Sequence, residues 1–174
     1  MPMPISSACA PRDGPPGAAE TGSMPRHRQR KTLPYSASQM LDLVVDIERY
    51  PDFLPWCMGA RVRSRECVGG IEIVVADVAV GIKALRETFT SRVRIDRAAG
   101  TVDVDYLKGP FRRLRNRWFF EPATGGTVVD FTIDFEFRNR LLGFAMDRVF
   151  TEAVTRMVAA FEQRARKLYA VRLS

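Results

Sequence analysis

Few side chains in this sequence could carry out covalent or proton-transfer chemistry. The one histidine, His27, falls in an N-terminal stretch expected to be poorly ordered, which leaves no base for a Ser/His or Cys/His nucleophilic pair. Cys9, Cys57 and Cys67 are spaced to fit no zinc pattern. An odd cysteine count without a secretory signal predicts reduced thiols in a cytosolic chain, with Cys57 and Cys67 buried and inert. The carboxylate pairs Asp103 with Asp105 and Asp134 with Glu136 occupy outward positions of strand-like segments, where ionised groups are solvated. Glu87 differs. It falls in register with Leu85 and Phe89, on an apolar face where an ionised carboxylate is costly unless paired. It could serve as a general acid or base, accept a hydrogen bond from a ligand, or be turned outward by a β-bulge. No glycine-rich loop precedes a helix, and neither a metal site nor a cofactor is expected.

These residues need a scaffold, and the hydrophobic periodicity supplies one. A short strand is predicted at Arg28 to Leu33. Ser36 and Gln39 form a capping-box pattern that opens a helix with Met40, Leu41, Val44 and Val45 on its inner face, stopped at Pro51. From about Gly59 to Arg138 the period is two. Leu85, Phe89, Val93 and Ile95 alternate with arginines, Val102, Val104 and Tyr106 with aspartates, Leu114, Asn116, Trp118 and Phe120 with arginines, and Val129 to Phe137 with acids. Outer charges of opposite sign on successive strands suit antiparallel neighbours. Turns are expected at Gly69-Gly70, Gly81, Gly100, Gly109-Pro110 and Gly125-Gly126. A final helix of about thirty residues carries an apolar stripe from Leu142 through Met146, Phe150, Met157 and Phe161 to Leu168, with Glu152/Arg156 and Glu162/Arg166 as pairs four apart.

The chain has 174 residues, enough for one domain with a core. Residues 1–25 hold six of the eleven prolines and read as a disordered tail, with the folded domain at 26–172 and Met24 as an alternative start. No apolar run reaches the length of a membrane span. The net charge is +7, from 23 Arg and 4 Lys against 20 acids, which favours acidic surfaces without naming one.

A helix, a lid rich in aromatic residues, a meander and a long last helix predict an α+β fold in which a curved antiparallel sheet of six to seven strands wraps the terminal helix. The space between them is either an apolar cavity or a solid aromatic core.

Three stretches add a resemblance. They are Pro34-Tyr35-Ser36-Ala37, the segment Tyr50-Pro51-Asp52-Phe53-Leu54-Pro55-Trp56-Cys57, and Gly109-Pro110-Phe111-Arg112 continuing through Leu114, Asn116 and Trp118. Over about residues 25 to 170 the chain resembles the coenzyme Q-binding protein family of the START-like, polyketide cyclase superfamily, whose bacterial members also carry the name ribosome association toxin. The resemblance implies a helix-grip fold and non-catalytic binding of ubiquinone, or a precursor, as a ligand rather than a redox cofactor, by a cytoplasmic protein peripheral to the inner membrane. Binding to the large ribosomal subunit and cyclase chemistry are the alternatives. The expected cavity and lid residues are Phe53, Leu54, Trp56, Phe89, Tyr106 and Phe111, with Trp118, Phe131, Phe135, Met146 and Phe150. Arg112, Arg113 and Arg115 form either a basic rim for an anionic membrane or RNA, or a solvated strand face paired with Asp130 and Asp134.

Overall fold

In the computed structural model, residues 26–170 are described, so the expected tail at 1–25 and Cys9 lie outside them. The first strand, β1 (Arg26–Leu33), pairs antiparallel with the last, β7 (Gly126–Phe137). His27 stands opposite Ile133 with its ring 6.4 Å from Phe131. It belongs to a strand, contrary to the loose N-terminal stretch expected for it, because the sheet edge at β7 gives this segment a backbone partner.

Helix α1 (Ala37–Val45) starts as its capping box requires. The Gln39 amide donates to Ser36 Oγ at 3.2 Å, and the Ser36 amide donates to Gln39 Oε1 at 2.9 Å. The helix ends at Asp46, before Pro51, which sits inside a 3-10 helix (Ile47–Asp52). The Tyr50 hydroxyl donates to the Val44 carbonyl at 2.5 Å, satisfying one of the carbonyls that a helix end leaves free.

Strands β2 (Cys57–Val68), β3 (Ile71–Ile82), β4 (Leu85–Asp96), β5 (Thr101–Lys108), β6 (Phe111–Ala123) and β7 follow as an antiparallel meander. The sheet order is β1-β7-β6-β5-β4-β3-β2. The outer face shows the expected charge register: Asp103 faces Arg94 and Arg117, Asp105 faces Arg92 and Arg115, and Arg115 also faces Asp134. The β3–β4 turn falls at Lys83-Ala84, not at Gly81, and Lys83 takes a left-handed φ of 54°. Gly81 stays in the strand because its amide donates to the Trp56 carbonyl at 2.9 Å, tying the lid segment to β3. Gly109 has a φ of +140°, and a Cβ there would lie 2.8 Å from that of Phe89, so the β5–β6 turn can close against β4 only without a side chain.

Helix α2 (Arg140–Tyr169) packs into the concave face of the curved sheet and at 1.5 Å per residue runs about 45 Å. Met146, Ala153, Val154, Met157, Val158, Phe161 and Ala165 are buried. The stripe stops there, since Leu168 lies exposed past the core. Glu152 and Arg156 pair at 2.5 Å, whereas Glu162 turns to Lys31 on β1 at 2.7 Å. The fold is helix-grip, with seven strands around one long helix.

Candidate functional site

Across the concave face, residue size changes from strand to strand. In β7, Phe135 and Phe137 reach Phe150 of α2, and Phe135 lies 3.9 Å from it, ring centre to ring centre. In β3 the inward residues are Val74, Ala76, Val78 and Val80. Short side chains on β3, β4 and β5 cannot span the gap that phenylalanines fill on β7. A cavity of about 110 Å³ remains, walled by Val78 and Val80, by Ser91 and Val93, by Val102 and Val104, and by Asn116 and Ile133.

Of the residues expected to line it, Leu54, Trp56, Phe89, Phe111, Trp118 and Phe150 do so. Phe111 and Leu114 both face inward although three apart, because a bulge at Arg112 shifts the β6–β7 register between them. Five others are placed elsewhere. Phe53 packs edge-on to Phe161 at 5.1 Å, under the Arg164 guanidinium at 5.5 Å. Phe131 sits 4.4 Å from Trp118, and Phe135 lies against Phe150. Met146 is core, and Tyr106 packs edge-on to Phe111 at 5.8 Å. None of these five lines the cavity.

Glu87 is also elsewhere. Its pairing partner Val80 is inward, and the β3–β4 register runs unbroken, so no bulge turns it out. It is nevertheless exposed and does not line the cavity. β4 pairs with β5 only from Thr90 onward, so Glu87 stands on the projecting end of β4, in solvent. Cys57 is buried as expected, whereas Cys67 is exposed near the end of β2, opposite Glu72. Arg112 lies 3.5 Å from Glu136, Arg113 faces Glu136 in register, and Arg115 faces Asp105 and Asp134. Asp130 pairs with Arg28 at 2.6 Å, which holds its carboxyl below the usual range, chiefly through the hydrogen bond.

The cavity wall also contains polar groups. Ser91, 3% exposed, and Asn116 break the apolar lining, and both Asn116 Oδ1 and Trp56 Nε1 are buried without a hydrogen-bond partner. One acceptor and one donor are therefore left open in an otherwise oily space, an arrangement that a neutral ligand with a few polar atoms would satisfy. Asn116 was visible in the sequence as the polar member of an inward series. Ser91 fell in the gap between Phe89 and Val93, and the small valines carried no signal beyond ordinary strand propensity. Burial pushes the Tyr50 phenol well above its ordinary range and also raises the Cys57 thiol, so both are neutral at pH 7. A groove of about 280 Å³ adjoins the cavity and shares Trp56, Ile82 and Ala153 with it, with Lys83, Glu152 and Arg156 along its edge. Trp56 stands between the two.

Residues 33–162 match the family described as polyketide cyclase / dehydrase and lipid transport. The chain is 36% identical over 150 residues to the ribosome association toxin RatA of Escherichia coli (strain K12), covering 86% of this chain and 92% of that protein. It is 34% identical over 142 residues to the mitochondrial coenzyme Q-binding protein coq10 of Schizosaccharomyces pombe, covering 80% and 86%. The solution structure of an 18 kDa protein from Caulobacter crescentus superposes with a TM-score of 0.70 at 40% identity, covering 83% of this chain and 97% of that one. The matched segment runs from the last residue of β1 through most of α2 and contains every residue that lines the cavity, and on these grounds the chain belongs to the polyketide cyclase / dehydrase and lipid transport family, among its relatives named coenzyme Q-binding protein and ribosome association toxin.

Proposed function

We propose that this protein binds a prenylated quinone, ubiquinone or a biosynthetic precursor, and carries it without transforming it. The observation that supports this reading is the oily cavity with one unpaired donor, Trp56 Nε1, and one unpaired acceptor, Asn116 Oδ1. A quinone ring offers carbonyls to the indole and, in hydroxylated precursors, a donor to the amide. At about 110 Å³ the space is somewhat smaller than the ~150 Å³ apolar cavity known to take up benzene. It suits one ring with modest breathing of its walls, and the isoprenoid tail would leave past Trp56 along the adjoining groove. Hiding such a tail from water is favourable by about 25 cal/mol per Å². A holding role fits the chemistry present, since the one carboxylate of interest, Glu87, is in solvent rather than in the cavity.

A second reading, binding to the large ribosomal subunit, draws on the name of the 36% identical relatives and on the +7 charge. Against it, many of the arginines on the sheet face stand in register with acids instead of forming an open cationic surface. Extraction of lipids from the purified protein followed by mass spectrometry tests the first reading: a prenylquinone is expected in near-equimolar amount. A cavity that is empty in repeated preparations from quinone-rich membranes, together with retention on large subunits in low-salt sedimentation, would replace the first reading with the second.

A further inference from the structure

Antiparallel connectivity brings four segments to one end of the sheet: the β3–β4 turn, the β5–β6 turn, the start of β2 and the start of α2. Two hydrogen bonds tie the β5–β6 turn directly to the segment leading into α2. The Arg138 amide donates to the Pro110 carbonyl at 3.1 Å, and Arg138 Nε donates to the Phe111 carbonyl at 3.1 Å. The groove beside Trp56 opens at this same end, because Lys83 lies on it.

The surface there is unusual. Of the seven large hydrophobic residues exposed among the described residues, four are at this end: Met58, Leu107, Leu141 and Phe144. Leu141 and Phe144 are 82% and 86% exposed, the two highest values of the seven, and three residues apart they share one face of the first turns of α2. The same end carries exposed Lys83 and Lys108 at the two turns and Arg138, Arg140 and Arg148 at the head of α2, against the exposed carboxylate of Glu87 on the start of β4. Isolated exposed apolar residues are ordinary, but a projecting cluster at a rim marks an interaction surface.

We propose that this end of the molecule docks on an anionic lipid bilayer, with Leu141 and Phe144 inserted among the acyl chains and the cations of this end set at the headgroups. The inference deepens the carrier reading and rests on it for its purpose, though docking itself needs no cargo. The charge sign selects an anionic surface. Side chains exposed to this degree project outward and need a medium that yields around them, which a bilayer does without a preformed pocket. The site is also where a carrier would need it: Pro110, Phe111 and Phe150, which wall the cavity, lie directly beneath these segments. Arg113 and Arg115, by contrast, belong to the charge-registered sheet face, and the cations of the docking end lie toward the tip of the sheet and the head of α2.

The test is flotation of the full chain with vesicles of phosphatidylcholine alone or mixed with phosphatidylglycerol, for the native protein and the double variant Leu141→Ser/Phe144→Ser. Both positions are solvent-exposed, so an unchanged thermal melt is expected. Native protein should float with the mixed vesicles, weakly with neutral ones, and less at high salt. The double variant should lose at least about tenfold in partitioning, because it gives up two inserted apolar side chains. Equal flotation of the variant and the native protein, or none by either, overturns the proposal. So does a native dimer that the variant converts to monomer while vesicles are ignored, or large-subunit binding that only the variant loses. Binding of short-chain ubiquinone in vesicle-free solution separates the two ideas. Retained cargo binding with lost flotation supports docking, and flotation without any cargo binding keeps the docking surface while removing the carrier.

Discussion

The concave face has a filled half and a hollow half. On β6 and β7, Trp118 meets Phe161 of α2, Phe135 and Phe137 meet Phe150, and Phe120 and Phe131 pack on Trp118, in aromatic contacts of 3.9 to 6.2 Å. On β3, β4 and β5 the inward residues are mainly valines with Ser91 among them, and the cavity lies over them. Both halves follow the same alternation. The difference is reach: a phenylalanine bridges sheet to helix and a valine does not. Stability is therefore concentrated in one half of the domain, and the capacity to receive a ligand in the other.

Substitutions that exchange the properties of the two halves should have unequal effects. Phe131→Ala removes a ring that is 1% exposed and 4.4 Å from Trp118, and should destabilise by about 3–5 kcal/mol in urea or thermal unfolding, as large-to-small changes in tight cores do. Tyr50→Phe, at the border of the two halves, removes the bond to the Val44 carbonyl and should cost about 1 kcal/mol. It also carries a pH signature. The folded-state pKa of this phenol is raised by burial above an unfolded value of about 10. Its contribution is thus complete below about pH 10 and is lost as pH rises from there toward the folded-state value. Alkaline denaturation curves should be shallower above pH 10 for Tyr50→Phe than for the native protein. Val78→Phe, in the hollow half, should change stability by no more than about 1 kcal/mol, well under the usual penalty for overpacking, because the added ring has space. The same variant should no longer take up an apolar ring. If it costs as much as Phe131→Ala, the hollow half is not hollow.

Much of this was legible in the sequence, and the limits have a physical origin. The Ser36/Gln39 cap, the order of elements and the sign-alternating outer face are local or period-two features, which a sequence states directly. Whether an inward aromatic fills or lines is decided across the molecule. Phe89 and Phe135 satisfy the same pattern, but only Phe135 has Phe150 at 3.9 Å, while Phe89 faces open space. Glu87 obeyed its register and still reached solvent, because strand β5 ends before it. The Glu162/Arg166 spacing was correct for a helix pair, but Lys31 on a neighbouring strand lay closer to hand. The patch at Leu141 and Phe144 had no period to reveal it, since on sequence alone the head of α2 extends the buried stripe.

If the carrier reading holds, the space beside the valines accepts an apolar ring. Trp56 and Trp118, the only tryptophans in the chain, both stand in its wall, so intrinsic fluorescence reports directly on occupancy. Titration with a short-chain ubiquinone should quench this emission saturably, at one ligand per chain, with the saturable phase absent in Val78→Phe. Quenching that rises linearly without saturation, and equally in the variant, would show that the ring never enters.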